Sequence, residues 1–311
     1  MNVSGPSSRC AVASGPAVLA RAEHARLRSS FTSVRDNAVS GPAGDSRGHF
    51  GGRFTPSGPV VLGVLGGSGG VGTSCLAAAV ATRMAARGDS TLIVDSDPTF
   101  GRLDALFDRD GVAGVRWADL AGAQGSLEGR ALLDVVPRSA EGVRILAGGG
   151  QPVAPDELEV PSAATMTGVL TALLAPEAGL DVVVLDLHRA APPLAQWCVL
   201  CADLVLVVGS GVSALACATT AARLVQTLAA TSCRLWLAQR GPRTRRDVAD
   251  VVADAIGLPL IAFVTDDPGL DERLARGRPP GTGKGPLAGA ADVVVRRLGA
   301  PREGHDGEPA T

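Results

Sequence analysis

The residues best suited to chemistry begin at position 66. Gly66-Gly67-Ser68-Gly69-Gly70-Val71-Gly72-Thr73-Ser74 is a glycine loop in the frame G-x-x-x-x-G-T-S. In such a loop consecutive backbone N–H groups curl around phosphate oxygens at a helix N-terminus, and Ser74 stands where a hydroxyl ligates Mg²⁺. The lysine that ordinarily reaches the outer phosphates is missing, and Thr73 holds its place. A lysine contact to phosphate contributes about 1.5 to 3 kcal/mol, and it counts most when charge grows on a transferring phosphoryl group. A plain glycine turn has the same composition, so what flanks the loop decides between the two.

Two acidic elements follow. Asp95 and Asp97 lie one residue apart in VDSDPTFG, where carboxylates can orient Mg²⁺ waters and an attacking water. Taken alone, this is an Asp-rich turn capping the next helix. Asp186 ends the apolar run DVVVLD, the Walker B arrangement that holds Mg²⁺ through water. One strand-terminal aspartate means little, but the three elements in this order are specific. Asp97 is therefore expected to position water, and Ser74, Asp95 and Asp186 to hold the metal.

These groups need a rigid frame, and the chain supplies one. Short apolar runs at 60–65, 91–95, 143–148, 181–187, 203–208, 234–238 and 260–264 alternate with Ala/Leu-rich stretches at 74–88, 164–175, 213–230 and 246–257. Strands apolar throughout are covered on both faces, and strand–helix alternation is the pattern of crossover connections. The expectation is an α/β fold: a single doubly wound, mostly parallel, seven-stranded sheet over residues 59–300. Residues 1–58 are rich in Ser, Gly, Pro and Arg and read as a disordered arm, with an organelle transit peptide as the weaker compositional alternative. Residues 301–311 read as a flexible tail.

Composition excludes several classes. Of 29 Lys and Arg residues only Lys284 is lysine, and the formal charge of −2 gives no global basic footprint for non-specific nucleic-acid binding. Six cysteines scattered through apolar segments suggest reduced thiols and a cytoplasmic home. The charge-free runs Thr55 to Thr82 and Leu204 to Ala222 are broken by GGSGGVG and GSGVS, whose backbone would be unpaired in lipid. No membrane span is expected.

Three further patterns act as decoys. Arg278 to Gly285 imitates a second phosphate loop, but it follows DERLARG rather than a strand and lacks the Mg²⁺ hydroxyl; a flexible loop is the reading taken. Cys198 and Cys201 form a lone C-x-x-C in an apolar stretch, which reads as buried structural thiols. His188 is given no catalytic role.

The succession GGSGGVGTS, VDSDPTFGRLDALF, DVVVLDLHR, CADLVLVVGSGVSALACA, LWLAQRG and LPLIAFVTDDPGLDERLARGRP resembles the MinD/ParA class of deviant-Walker ATPases over residues 59–298. FGRLD and GVRWADLAGAQGSLEGRALLDVVPR resemble more narrowly its CpaE/TadZ-like branch of high-GC bacteria. The resemblance implies ATP or ADP with Mg²⁺, held by Gly67, Ser68, Gly69, Gly70, Val71, Gly72, Thr73 and Ser74, with Gln239 at the base-reading position. It also implies a nucleotide-dependent homodimer and partners in the division or the pilus and secretion machinery. It points to recruitment to the inner face of the membrane at septum or pole. The sequence departs from the family in placing Ser68 at the signature lysine, Thr73 at the loop lysine and His188 at the proline after Walker B, and the family's receiver-like N-terminal domain is not visible. Hydrolysis is accordingly expected to be weak, unless a partner or an arginine, Arg102 being nearest in sequence to the switch acids, restores the cation.

Overall fold

A computed structural model describes residues 58–123, 127–148 and 160–298. The expected arm, but for Gly58, and the expected tail lie outside them. Strands β1 (Val60–Gly66), β2 (Thr91–Asp95), β3 (Arg144–Leu146), β4 (Val182–Leu187), β5 (Asp203–Gly209), β6 (Arg234–Arg240) and β7 (Leu260–Val264) form one sheet. Its order is β3-β2-β4-β1-β5-β6-β7, and every pairing is parallel.

Burial explains the composition of these strands. Every residue of β4 is buried, and in β1 alternate residues serve opposite layers: Leu62 and Val64 one, Val61 and Leu65 the other. The first layer is closed by α1 (Thr73–Ala85) and α9 (Pro286–Leu298), through Leu76, Val80 and Met84 against Ala291, Val294 and Val295. The second is closed mainly by α4 (Ala163–Leu173), α5 (Leu194–Leu200) and α6 (Val212–Leu228), with Met166, Leu170, Trp197 and Val225 inside it. Small alanines let the helices approach the sheet closely, and the two large rings, Trp117 and Trp197, pack at 6.1 Å in a tilted arrangement.

Shorter elements complete the chain: α2 (Leu103–Leu106), α3 (Gly129–Val135), α7 (Ala249–Ile256) and α8 (Leu270–Leu274). Strand β3 stops at Leu146, short of the expected 148, because the next carbonyl, of Ala147, accepts the N–H of Trp117 at 3.0 Å. The segment expected to be helical from 246 begins as a 3-10 turn at Arg243–Val248, and α-helix starts only at Ala249. No described helix is long and apolar enough to cross a membrane.

Strand β1 sends the chain through α1 to β2 on one side, whereas its neighbour β5 sends it through α6 to β6 on the other. A crevice opens at the carboxyl ends of strands where connections diverge in this way, and the glycine loop sits there.

Candidate functional site

The loop leaves β1 at Gly66 and enters α1 at Thr73, and two glycines seat it. The Gly67 N–H donates to the Val207 carbonyl of β5 at 2.8 Å, and a Cβ added there would lie 3.1 Å from Ala218 of α6. Gly72, the residue before α1, has φ of 82°, a left-handed conformation that costs most residues about 1 to 2 kcal/mol. Helix α1 has neither a side-chain cap nor an acidic residue in its first turn, so its leading N–H groups are left for an anion. The Thr73 hydroxyl turns back toward Gly66, 2.6 Å from where a Cβ would be, and offers no long cationic arm.

The acids converge on this loop from the neighbouring strands. Asp95 ends β2 directly beside Asp186 of β4. Ser74 lies close enough to Asp186 to favour its charged form, bringing the expected Mg²⁺ hydroxyl and the expected Walker B acid together. Burial pushes Asp186 up to about 6, Ser74 lowers it and the charge of Asp97 raises it. Burial and the adjacent Asp186 charge hold Asp95 well above the usual carboxylate range. Asp97 does what a turn aspartate does: its Oδ1 accepts the N–H groups of Thr99 and Phe100 at 3.1 and 2.9 Å. Among the described residues no three acidic, histidine or cysteine side chains converge to hold a metal alone.

Gln239, near the end of β6, is fully buried, and neither its Oε1 nor its Nε2 has a hydrogen-bond partner among the described residues. Leaving a buried amide unsatisfied costs about 1 to 3 kcal/mol, a state Gln239 shares with the Trp197 indole N–H.

The arginines depart most from what the sequence suggests. Arg102, expected as the nearest substitute cation, lies 3.8 Å from Asp104 and 3.6 Å from Asp110. Two others touch the loop instead. Arg189, just past β4, donates from Nη1 to the Gly67 carbonyl at 3.3 Å; Arg240, ending β6, donates from Nη1 to the Gly70 carbonyl at 3.0 Å and pairs with Asp266 at 2.9 Å. Linear spacing held no signal for either, because both reach the loop only through the strand order.

The two segments that carry the narrower resemblance meet each other. Arg116 of GVRWADL donates to Asp104 of FGRLD at 3.1 Å and to the carbonyls of Gly114 and Arg109, and the Trp117 indole N–H donates to the Asp95 carbonyl at 2.7 Å. They buttress the acidic turn from behind. The Arg278 to Gly285 loop packs rather than swings: Pro279, Pro280 and Gly281 are buried, and a Cβ on Gly281 would lie 2.6 Å from the Ala79 carbonyl of α1. Cys198 and Cys201 are buried; burial pushes Cys198 up to about 12 and Cys201 well above its ordinary value, as inert structural thiols should be. His188 contributes its backbone N–H to Ser96 Oγ at 2.6 Å.

Comparison with known proteins bears on the family and the fold. The family described as Anion-transporting ATPase matches residues 61–114, the loop, α1 and the acidic turn. The Mycobacterium tuberculosis H37Rv protein named Uncharacterized protein Rv3660c is 34% identical over 251 residues, covering 80% of this chain and 67% of the relative. Among solved structures, a ParA family ATPase from Chlorobium tepidum superposes with a TM-score of 0.64 at 20% identity, covering 78% of this chain and 99% of that one. The septum site-determining protein MinD of Pyrococcus horikoshii, complexed with Mg-ADP, gives 0.61 at 19% identity, covering 77% and 96%. The fold is that of the MinD/ParA-type P-loop proteins.

Proposed function

Because the chain belongs to the family of Mycobacterium tuberculosis Rv3660c and has the MinD/ParA-type fold, we propose that it is a nucleotide-responsive spatial regulator or scaffold with little ATP hydrolysis. The observation that carries this is the loop itself. Its glycine geometry is intact and Ser74 stays beside Asp186, while Ser68 and Thr73 stand at both lysine positions.

In this reading the backbone N–H groups of Gly67 to Ser74 hold the phosphates of ATP or ADP. The P. horikoshii relative is complexed with Mg-ADP, and we carry that ligand to this chain. Mg²⁺ supplies charge neutralisation at the phosphates, and the residues placed to hold it are Ser74 directly, with Asp95 and Asp186 partly through water. Gln239 reads the base. Asp97 would orient water, but its carboxylate is engaged by its own turn and no loop cation offsets developing charge. A supplied arginine is worth about 10³ to 10⁵ in rate; neither lysine position of the loop carries a cation, so hydrolysis is expected to fall well below that of a loop with both lysines.

We extend the same reading to a nucleotide-dependent homodimer. It acts in the cytoplasm, recruited to the membrane face at septum or pole, in septum site determination or in placing a Tad-type pilus or secretion machine. These roles rest on the resemblance of the quoted motifs.

Calorimetric titration of the chain with ATP and ADP, with and without Mg²⁺, tests the reading. Wild type binds, more tightly with Mg²⁺, and Gly72→Val, which forces a β-branched residue to φ of 82°, does not. Absence of binding at millimolar nucleotide refutes it. Steady turnover abolished by Asp97→Ala replaces the scaffold with an active ATPase. A diffuse fluorescent fusion in cells with normal septa and pili removes the positioning role.

A further inference from the structure

We propose that Arg189 is the phosphate-reaching cation of this site, replacing from β4 the charge that the glycine loop does not carry. The inference rests on the nucleotide reading above and names the side chain that makes it workable.

The electrostatic need is plain. Asp95 lies beside Asp186 and accepts the Asp97 N–H at 3.0 Å, so three carboxylates gather here, and the loop between Gly66 and Ser74 contains no basic residue. A di- or triphosphate entering there brings further negative charge into a partly buried place, where like charges repel more strongly than in water. Mg²⁺ and the free N–H groups of α1 offset part of that, and a fixed cation beside the loop would offset more.

Three arginines are near enough to consider, and their existing bonds separate them. Arg102 stands between Asp104 and Asp110. Arg240 is tied to Asp266 through both Nε and Nη2, at 3.2 and 2.9 Å, besides its bond to Gly70. Either would have to leave a carboxylate in order to serve a phosphate. Arg189 makes no ion pair among the described residues, and its bond to the Gly67 carbonyl, at 3.3 Å, is beyond the usual 2.7 to 3.2 Å range for N–H···O. It is the guanidinium that can turn at least cost.

Its root is fixed where it needs to be. The preceding residue, His188, is pinned by its backbone N–H to Ser96 Oγ at 2.6 Å, and β4 pairs with β1 up to Leu65↔Leu187. The side chain therefore starts beside the loop and already rests on Gly67, next to Ser68, the position at which the family resemblance places its signature lysine. A guanidinium fork matches phosphate oxygens bidentately, so Arg189 can exchange one long carbonyl bond for two charge-assisted ones.

The test is the affinity of the full chain for MgATP and MgADP by calorimetry, with melting temperatures taken without nucleotide. Arg189→Ala and Arg189→Gln should each weaken both ligands about 10- to 100-fold, Arg189→Lys should recover most of that loss, and Arg102→Ala should bind as wild type. Glutamine can still donate to the Gly67 carbonyl. Wild-type affinity in Arg189→Gln, or a loss in Arg189→Ala that glutamine repairs as well as lysine does, would mean that the side chain merely braces the loop, and would overturn the proposal. If Arg189 variants bind normally while Gly72→Val does not, this inference fails and the nucleotide site stands. If wild type binds neither ligand, the nucleotide reading itself fails.

Discussion

Among the described residues four aspartates are almost completely buried, and they fall into two pairs that the fold treats in opposite ways. Asp104 and Asp203 are 1% and 2% exposed, and each has an arginine: Arg116 on Asp104 at 3.1 Å, and Arg234 on Asp203 through two bonds of 2.7 and 2.8 Å, with the Trp236 indole N–H added at 2.8 Å. Asp95 and Asp186 are 4% and 7% exposed, lie side by side at the ends of β2 and β4, and have no ion pair among the described residues. Their help comes from backbone N–H groups and one serine hydroxyl. A fold that pairs two buried acids with arginine and leaves the two at the glycine loop without one is holding charge for something that arrives from outside.

Removing an arginine from the satisfied pair breaks the comparison most severely. Arg116→Ala leaves the buried Asp104, of its ion pairs, only the longer one with Arg102 at 3.8 Å and should lower stability by up to about 3 to 5 kcal/mol in denaturant unfolding; a loss below about 1 kcal/mol would show that Asp104 is as tolerant as the site acids. At the site the sign reverses. Asp186 has its folded-state pKa raised from 3.8 to about 6, so the folded chain holds the proton longer than the unfolded one. Stability is then greatest below pH 4 with respect to this group and falls as pH rises through about 6. Asp95 acts in the same direction. Asp186→Asn should therefore stabilise the metal- and nucleotide-free chain at pH 7 by about 1 to 3 kcal/mol, flatten its dependence between about pH 4 and 6, and weaken Mg²⁺-dependent nucleotide binding. Destabilisation by asparagine would mean that the charge is already compensated. The smallest effect is expected at Gln239. With neither amide atom bonded, Gln239→Leu should change thermal stability by no more than about 1 kcal/mol, while weakening adenine nucleotides relative to inorganic diphosphate in the same titration.

Much of this could be read before any coordinates. Both-face burial makes the strands continuous apolar runs, so all seven appear in the sequence with bounds differing by a few residues, and glycine spacing marks the loop. The acids at 95, 97 and 186 declare themselves by ending such runs. What escaped was long-range. Nothing near Arg189 in sequence says that β4 lies beside β1, and proximity in sequence favoured Arg102, whose neighbours Asp104 and Asp110 take its charge. The pairing of Arg116 with Asp104 joins two segments noticed separately, each for its likeness to other proteins. Helices α2 and α3, four and seven residues long, are too short for periodicity to show.

The sheet also acts as a wall. Its two apolar layers share no buried residue: Leu76 and Val294 belong to one, Leu170 and Trp197 to the other. Close-packed interiors transmit strain through touching side chains, so a cavity opened on the α1 and α9 side is relieved on that side and reaches the opposite layer only through the strands' backbone. The glycine loop is the exception, since it rests on α6 of one layer through Gly67 and Ala218 and runs into α1 of the other. It touches both halves of the molecule, and a ligand seated in it would couple two layers that the strands otherwise keep apart.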